Sequence, residues 1–543
     1  MTQTRPWWES AVVYQIYPRS FKDSSGNGVG DLQGIIEKLD YLNDGTPNSL
    51  GIDAIWLSPF YESPMKDFGY DISDYRNVDP LFGDLATFDK LVAEAHKRNI
   101  KIIVDYVPNH TSDEHKWFTE SKSSKDNPKR DWYIWRDAQA DGSPPNNWGS
   151  IFGGSAWEWD DITQQYYFHQ FVPGQPDLNW RNPEVREAMY DVLRFWMDHG
   201  VDGFRMDVVY MVWKHPEMLD QPLIPGAVGR GPNDLYGLQQ QIYSQNYDGI
   251  HDIMKELRST LDEYGDKVMI GEIWLPLLER MRYYGDGQND EFHMPFNFDL
   301  IDDGTFQNPT SWQAKRFRTL IDQHDAAVPE YGWPNYVLGN HDVPRLASRI
   351  GGVHRARTAA MMLLTLRGTP TIYMGEEIGM VNGIIPPEKV QDPQGLVLGH
   401  EFTRDVCRTP MPWSDDKYAG FSTTEPWLPV NADYQTANVA TEQNDAHSML
   451  SLYKALINLR KQNATLLFGS YQSLDSANNT YCYLRQTDSE SMLIVLNFND
   501  EPTSINLPYS GDIILSTTLQ RTDAIDQTVE LDSNEGLIIK ITG

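Results

Sequence analysis

The sequence predicts a closed (β/α)8 barrel with a subdomain inserted after the third strand and a small all-β sandwich domain at the C-terminal end. Three observations support this fold class. Strand-like apolar segments alternate with amphipathic helical segments, one long polar and aromatic stretch interrupts this alternation, and the last part of the chain contains strand-like segments alone. Alternating strands and helices are typical of a parallel sheet, and eight such strands close into a barrel.

The first three predicted strands are continuously apolar and cover residues 11–17, 54–57 and 101–107. Continuous apolar runs suit parallel strands that are buried on both faces. A helical pattern at 32–41 follows the first strand, and another at 85–98 follows the second. The second pattern places four apolar side chains on one helix face, namely those of Phe88, Leu91, Val92 and Ala95.

The alternation stops after the third strand. Residues 108–181 are rich in Trp, Gly, Pro, Asn and Asp and show little helical period, which predicts an inserted subdomain. Asn182 and Pro183 then begin a helix as N-cap and first helical residue. Gly200 is suited to end that helix.

Five further strands complete the predicted barrel, and four strand-like segments follow in the terminal domain. Long connections separate some of them, at 209–250 and 376–450, and are too long to be passive links. The barrel strands are predicted at 202–208, 267–273, 292–298, 336–339 and 371–374, and the terminal strands at 481–486, 492–498, 503–507 and 536–541. The predicted domains are the barrel (1–107 and 182–465), the inserted subdomain (108–181) and the terminal β-sandwich (466–543).

Composition and charge exclude several classes of function. The 543 residues include 45 Lys and Arg against 77 Asp and Glu, a net charge of −32. This charge argues against nucleic acid and anionic membrane surfaces as partners. Two cysteines, Cys407 and Cys482, exclude a disulfide framework and a multi-thiolate metal site. Without an apolar run of 18 residues or an apolar N-terminal segment, we expect a soluble, cytoplasmic protein.

Charged residues follow several predicted barrel strands, where barrel enzymes place their chemistry. Arg205 and Asp207 are two positions apart and therefore face the same side of their strand. We expect Arg205 to lower the pKa of Asp207 and keep this carboxylate ionised, as a nucleophile requires. Glu272 lies at the end of the next predicted strand, His341 and Asp342 follow a later one, and Asn109 and His110 follow the third.

Three acids, two histidines and one arginine thus meet on one rim of the predicted barrel. Two carboxyl groups about 5–5.5 Å apart would suit a retaining glycosidase, in which one attacks the anomeric carbon and the other donates a proton. A set of buried ion pairs that holds the barrel together is the structural alternative. Metal binding by the histidines is a further alternative, although their loops lack a ligand spacing such as HExxH.

These motifs resemble those of the α-amylase superfamily of retaining α-glycoside hydrolases. The matching segments are DYVPNH (105–110), GFRMDV (203–208), GEIW (271–274) and GNHD (339–342), together with YQIYPRSF (14–21) and GYDISDY (69–75). The resemblance implies that Asp207 is the nucleophile, Glu272 the acid/base and Asp342 the transition-state stabiliser. It also implies that Arg205 orients the nucleophile, that His110 and His341 hold hydroxyls of the sugar being cleaved off, and that Tyr70 stacks on that sugar.

Within this superfamily the chain is similar to exo-acting α-glucosidases, including the oligo-1,6-glucosidase-like branch. KDFGY (66–70) carries Asp67, and RDVCRTPMPW begins with Arg404. By resemblance, this Asp and Arg clamp the terminal glucose and close the cleft into a pocket. Phe152 and Phe171 are expected to line that pocket. Val208, directly after the nucleophile, accompanies α-1,6 activity in relatives, whereas Thr or Ala accompanies α-1,4 preference.

The loop DSSGNGVGD (23–31) resembles a calcium or magnesium loop of these relatives, with the pattern D-x-N-x-D-G-x-G-D. Ser25 and Asn27 replace an Asn and an Asp of that pattern, which removes one anionic ligand. The candidate ligands of a structural cation are Asp23, Ser25, Asn27, Val29 and Asp31, and a glycine-rich turn without metal is the alternative. We expect no cofactor to be required for catalysis.

The function expected from this resemblance is that of a retaining α-glucosidase. It would release α-glucose from the non-reducing end of short α-1,4- or α-1,6-linked oligosaccharides, with transglucosylation as an additional outcome. A sucrose-active hydrolase, an isomerase or another glucosyltransferase of the superfamily is an alternative. A more distant alternative is a non-catalytic barrel that acts as a partner subunit, although such subunits need a transmembrane helix. The oligomeric state is left open.

Overall fold

A computed structural model describes residues 5–231, 233–301 and 311–542. Eight parallel strands form a closed barrel in which consecutive strands are neighbours and the eighth strand pairs with the first. In chain order, barrel strands 1 to 8 are Val13–Ile16, Ala54–Leu57, Lys101–Tyr106, Gly203–Met206, Val268–Gly271, Met294–Asn297, Asn335–Val337 and Thr369–Tyr373. The predicted barrel is confirmed, and several strands are shorter than predicted because the apolar runs continue into buried loop residues.

The long helix that follows the inserted subdomain begins with the cap that the sequence indicates. The Asn182 side chain accepts a hydrogen bond from the Glu184 N–H at the start of Pro183–Asp198. The α-helices are Pro18–Phe21, Leu32–Glu37, Leu39–Leu42, Leu85–Lys97, Lys116–Ser123, Pro183–Asp198, Ile250–Asp262, Leu277–Met281, Ala314–Ala327, Leu346–Ile350, Val353–Thr365, Pro393–Leu398, Val439–Gln443, Met449–Gln462 and Ala464–Phe468. Leu85–Lys97 buries the four apolar side chains predicted for its inner face.

Two small sheets lie in the connections that follow barrel strands 2 and 3. Tyr61–Glu62 pairs with Asp74–Val78 in the first of them. In the predicted inserted subdomain, Gln165–Phe168 is the central strand of an antiparallel sheet, with Trp135–Arg136 on one side and Trp157–Asp160 on the other.

The C-terminal region is a six-stranded antiparallel sheet. Its strands are Ser470–Leu474, Thr480–Gln486, Ser491–Asn497, Thr503–Ser516, Ala524–Leu531 and Gly536–Ile541, of which the first and fifth are absent from the sequence prediction. Hydrogen bonds join all six strands into one sheet, because the long strand Thr503–Ser516 pairs with both of its neighbours. Tyr481 and Tyr483 pack towards the barrel core, whereas Cys482 and Leu484 belong to a separate core on the other face. The domain boundaries stay a prediction.

A cavity of about 730 Å³ opens at the carboxyl ends of the barrel strands. Residues from the inserted subdomain and from the long connections at 209–250 and 376–450 complete its walls. Among the residues that the structure describes, no helix has both the length and the apolar character needed to cross a membrane. Residues 1–4, which belong to the N-terminal segment examined above, lie outside the described residues.

Candidate active site

The guanidinium of Arg205 organises the carboxylates at the bottom of this cavity. Its Nη1 donates to Oδ1 of Asp207 at 2.8 Å and also to Asp105, and its Nη2 donates to Oε2 of Glu272 at 2.5 Å. Arg205 is only 2% exposed, so burial and three carboxylate contacts fix its position. One guanidinium therefore bridges the two predicted reacting groups, Asp207 and Glu272.

Glu272 follows barrel strand 5 and is held by three donors. Besides Arg205, the indole Nε1 of Trp274 donates to Oε1 at 2.8 Å, and the backbone N–H of Val208 lies 3.3 Å from Oε2. Trp274 itself stacks on Phe298 with ring centroids 4.1 Å apart. These contacts orient the carboxyl group towards the cavity that it lines.

The pKa of Asp207 is higher than the sequence analysis led us to expect. Burial raises it well above its usual range, and the nearby carboxylates of Glu272 and Asp105 raise it further, although Arg205 acts in the opposite direction. The expectation that Arg205 lowers the net pKa of Asp207 is therefore wrong, because it did not account for this burial. Asp207 therefore holds a proton more readily than an isolated aspartate would.

The surroundings of Asp342 lower its pKa, whereas those of Asp207 raise the pKa of that group. Its Oδ1 accepts hydrogen bonds from Arg404 at 3.1 Å and from Arg408 at 2.9 Å. Burial alone would raise the pKa of Asp342, but the contacts with His341, Arg404 and Arg408 outweigh it and lower this pKa below its usual range. Asp342 is therefore an ionised carboxylate at the wall of the cavity.

Arg404 joins Asp342 to Asp67 and is itself fixed by Asp392. Its Nη2 lies 2.7 Å from Oδ1 of Asp67 and 2.6 Å from Oδ1 of Asp392, and its Nε lies 3.0 Å from the same Asp392 oxygen. Sequence reasoning missed Asp392 and gave no role to Arg408. Asp392 precedes Pro393 as a helix N-cap, a readable signal that identifies a helix start but not an arginine partner.

His341 lies behind Tyr70 rather than in the cavity wall. It is fully buried, with Nδ1 2.7 Å from Gln15 Nε2 and Nε2 2.7 Å from the Tyr70 hydroxyl. Its ring is nearly parallel to that of Tyr70, with centroids 5.4 Å apart. In this arrangement His341 positions Tyr70 and Asp342, whereas a direct contact with sugar hydroxyls stays a prediction.

His110 does line the cavity, beside Asp67 and Tyr70. Its Nε2 lies 3.1 Å from Gln175 Nε2, and Gln175 also donates to Asp67 at 3.1 Å. Burial lowers the pKa of His110 to about 3, so the imidazole is neutral near pH 7. A neutral ring with one donor and one acceptor nitrogen is suited to a sugar hydroxyl.

Two aromatic side chains and one strained residue complete the predicted set. Phe152 and Phe171 both line the cavity, with ring centroids 5.6 Å apart in an edge-to-face arrangement. Val208 adopts φ 34° and ψ 39°, a left-handed conformation that is unusual for a β-branched residue. The neighbouring backbone therefore holds Val208 against the cavity at a cost in conformational energy.

The 23–31 loop does not present open carboxylate oxygens to a cation. Asp23 accepts hydrogen bonds from the Gly28 N–H at 2.8 Å and the Ser422 hydroxyl at 2.5 Å, and Asp31 accepts one from the Gly34 N–H at 2.6 Å. Within the loop, the hydroxyl of Ser25 donates to Asp23, and the side chain of Asn27 accepts from the Val29 N–H. The described residues contain no cluster of three potential His, Cys, Asp or Glu ligands. These residues do not fit a cation in this arrangement, and cation binding stays a prediction.

Comparison with known proteins agrees with this geometry. Residues 15–469 match the family model described as alpha amylase, catalytic domain, and residues 471–528 match that of the maltogenic amylase C-terminal domain. The chain is 42% identical to an oligo-1,6-glucosidase of Parageobacillus thermoglucosidasius over 93% of this chain and 92% of that protein. It is 41% identical to a probable alpha-glucosidase of Rhizobium meliloti (strain 1021), over 93% and 91% of the two chains.

Solved structures are similar over almost the entire length. An alpha-glucosyl transfer enzyme, XgtA, superimposes with a TM-score of 0.91 at 40% identity, covering 99% of this chain and 100% of that one. The isomaltulose synthase SmuA from Protaminobacter rubrum gives a TM-score of 0.91 at 37% identity, covering 100% of both chains. The chain therefore belongs to the α-amylase family of glycoside hydrolases.

Proposed function

We propose that the chain is a retaining α-glucosidase that releases α-glucose from the non-reducing end of short α-1,4- and α-1,6-linked oligosaccharides. The observation that carries this proposal is the contact of Arg404 with both Asp67 and Asp342 in the cavity wall. These charged side chains are suited to the hydroxyls of a terminal sugar. They also obstruct the continuous cleft that the interior of a long polysaccharide would need.

In the first step, the Asp207 carboxylate attacks the anomeric carbon as the glycosidic C–O bond breaks, and Glu272 gives its proton to the leaving oxygen. A covalent glucosyl ester on Asp207 results. In the second step, Glu272 takes a proton from water, the water oxygen attacks the same carbon, and the ester bond breaks to release α-glucose. Two inversions at this carbon retain its configuration.

The bridging guanidinium of Arg205 supports this retaining mechanism over an inverting one. Inverting enzymes separate their carboxyl groups by about 6.5–9.5 Å to admit a water molecule, whereas retaining enzymes hold them about 5–5.5 Å apart. Asp207 and Glu272 each contact one terminal nitrogen of the same side chain, which favours the shorter separation.

Asp342 is proposed to stabilise the positive charge that develops on the sugar ring. Its lowered pKa keeps it ionised near neutral pH. Negative charge that is already in place needs no reorganisation during the reaction. Tyr70 and the two phenylalanines, Phe152 and Phe171, supply the apolar surfaces beside it.

Linkage preference is proposed to lie towards α-1,6 bonds. Val208 occupies the position after the nucleophile, as the resemblance to the oligo-1,6-glucosidase-like branch leads us to expect, and it lines the cavity. The similarity to an oligo-1,6-glucosidase supports the same preference. Replacing a methyl group by a hydroxyl at this position changes the discrimination between α-1,4 and α-1,6 bonds only modestly. Residues of the 209–250 connection are therefore expected to contribute as well.

Glucosyl transfer is the second candidate, and one observation favours it. An isomaltulose synthase and an alpha-glucosyl transfer enzyme share this fold over at least 99% of the chain. Hydrolysis and transfer use the same glucosyl ester and differ only in whether water or a sugar hydroxyl attacks it. For this candidate, sucrose would be the diagnostic substrate.

Product analysis tests both candidates. The protein is incubated with maltose, isomaltose, sucrose, trehalose and soluble starch at equal concentrations of glucosyl ends, and products are separated by chromatography over time. Free glucose from isomaltose or maltose, with starch almost untouched, is expected. Longer oligosaccharides from starch would contradict the exo-acting mode, and new disaccharides from sucrose with little free glucose would favour transfer. The Asp207→Ala variant serves as the blank.

A further inference from the structure

A second cavity, of about 650 Å³, lies between the inserted subdomain and the connection after barrel strand 4. Five cationic side chains line it, namely those of Lys125, Arg130, Arg136, Arg181 and Lys214. Asp131 is the single carboxylate among the described residues that line this cavity. Such an excess of positive charge stands out in a chain with a net charge of −32.

Arg136 and Arg181 have neutral hydrogen-bond partners. Arg136 donates to the backbone oxygens of Trp135 at 2.8 Å and Pro216 at 3.0 Å. Arg181 donates to the backbone oxygen of Lys214 at 2.7 Å. No carboxylate oxygen of residues 5–231, 233–301 and 311–542 lies within ion-pair distance of either guanidinium. Each guanidinium has five donor hydrogens, so both retain capacity for a further acceptor.

The hydrogen-bond partners of Arg130 are neutral as well. It lies 3.5 Å from the ring centroid of Trp135 and donates to the Gln165 side-chain oxygen at 2.6 Å, again without a carboxylate within ion-pair distance in the described chain. Burial lowers the pKa of Arg130 to about 10 and also lowers the pKa values of Arg136 and Arg181. Arg136 and Arg181 are exposed at the mouth of the cavity, and Arg130 is half-buried. Asp131 acts on Arg136, and Asp137 and Asp160 act on Arg130, from beyond ion-pair distance, so a bound anion would be the first acceptor in direct charged contact with these guanidiniums.

We propose that this second cavity binds the phosphate group of a small phosphorylated sugar. Phosphate oxygens accept the paired N–H groups of arginine in a two-pronged geometry, and several arginines around one cavity provide these pairs. Free phosphate offers the same chemistry, but the cavity volume lies in the range of sites that hold a complete small molecule. This ligand would be distinct from the neutral oligosaccharide proposed for the active site.

Lys214 is unsuitable for testing the proposal, because it also supports the active site. Its Nζ lies 2.5 Å from Asp177 and 2.8 Å from the side-chain oxygen of Asn109. Asn109 in turn lies 3.2 Å from Nδ1 of His110, which lines the catalytic cavity. Substitutions at Arg136 and Arg181 avoid this connection.

Calorimetric titration of the full chain tests the proposal at fixed ionic strength. The probes are glucose 6-phosphate, inorganic phosphate and glucose, the last to measure sugar binding at the active site. The variants are the double substitution Arg136→Gln with Arg181→Gln, the charge-preserving pair Arg136→Lys with Arg181→Lys, and the control Arg76→Gln. Arg76 is an exposed arginine whose carboxylate contact, with Asp191, is long at 3.8 Å. Glucose release from isomaltose reports that each variant is folded.

Saturable binding of glucose 6-phosphate to the wild type, weakened about tenfold or more by the glutamine pair and less by the lysine pair, is expected. The control should bind as the wild type does. Equal affinity for inorganic phosphate would identify free phosphate as the ligand and overturn the phosphorylated sugar. Absence of saturable binding, or binding that the glutamine pair leaves unchanged, would overturn the site itself.

Discussion

The guanidinium of Arg404 lies 2.7 Å from the carboxylate of Asp67, although 337 positions separate these two residues in the chain. The barrel brings them together because strands 2 and 8, whose following connections carry them, both pair with strand 1. Arg404 also contacts Asp342, so the residues proposed to hold the terminal sugar and to stabilise the transition state form one ion-pair network.

Replacing Asp67 with Asn tests this network. The amide keeps the size of the side chain but removes the negative charge that faces Arg404 and the sugar hydroxyls. We expect KM for isomaltose to rise by about 10- to 100-fold, with a smaller change in kcat, because a charged hydrogen bond to the substrate is lost. Steady-state kinetics would measure both constants. Asp113→Asn, which removes a half-buried carboxylate paired with Lys66, is the control, and an unchanged KM in Asp67→Asn would contradict the clamp.

Removing the proposed nucleophile should abolish turnover. In Asp207→Ala we expect kcat on isomaltose to fall by about 10⁴-fold or more, because no carboxylate remains to form the glucosyl ester. Thermal unfolding measured in parallel should show a folded protein, since the substitution also removes a buried carboxylate with a raised pKa. Asp415→Ala, at an exposed position, is the control. Substantial residual turnover in Asp207→Ala would assign the nucleophile elsewhere.

The acid role of Glu272 predicts a dependence on the leaving group. Glu272→Gln should lower kcat/KM by about 10²- to 10⁴-fold on isomaltose, whose leaving alcohol needs a proton, and much less on 4-nitrophenyl α-glucoside. Initial rates on the two substrates give the ratio directly. Glu279→Gln, an exposed substitution on Leu277–Met281, should change neither rate. Equal losses on both substrates would rule out proton donation by Glu272.

A pH-dependent change in stability is expected from Glu376, which the proposed mechanism does not use. Burial raises the pKa of Glu376 from 4.5 to about 8. Because the raised pKa belongs to the folded state, the contribution of this group to stability is complete below pH 4.5. It is lost as the pH rises through about 8, at about 1.4 kcal/mol per pH unit within that window.

Glu376→Gln should remove this contribution to the pH dependence. Between pH 5.5 and pH 8, the midpoint of urea unfolding should fall more in the wild type than in the variant. The control is Glu330→Gln, which replaces an exposed glutamate and should behave as the wild type does. A variant whose midpoint falls as steeply as that of the wild type would show that Glu376 does not titrate in this range.

Much of the fold was predictable because it depends on local patterns. The alternation of strand-like and helical segments identified all eight barrel strands, and Asn182 with Pro183 identified the start of a long helix. The terminal strand Ser470–Leu474 was not predicted, because its side chains are exposed or half-buried and it lacks an apolar run. The residue at which each strand ends was harder to predict than the strand itself, because buried loop residues extend the apolar runs.

The candidate site was predictable as a set of residues but not as an electrostatic arrangement. Asp207, Glu272 and Asp342 follow strands, and the parallel barrel places their side chains in one cavity. The sequence did not indicate that burial raises the pKa of Asp207 or that Asp392 fixes Arg404, since both effects depend on atoms distant in the chain.

By itself, the sequence determined the order of strands and helices, the motifs at the strand ends and the family that they resemble. Those features depend on residue identity and short-range periodicity. Only the tertiary structure decided which charges meet: Arg205 with Asp207 and Glu272, and Arg404 with Asp67 and Asp342. The physical reason is that Coulomb interactions and desolvation depend on distance and burial in space, and barrel closure sets both.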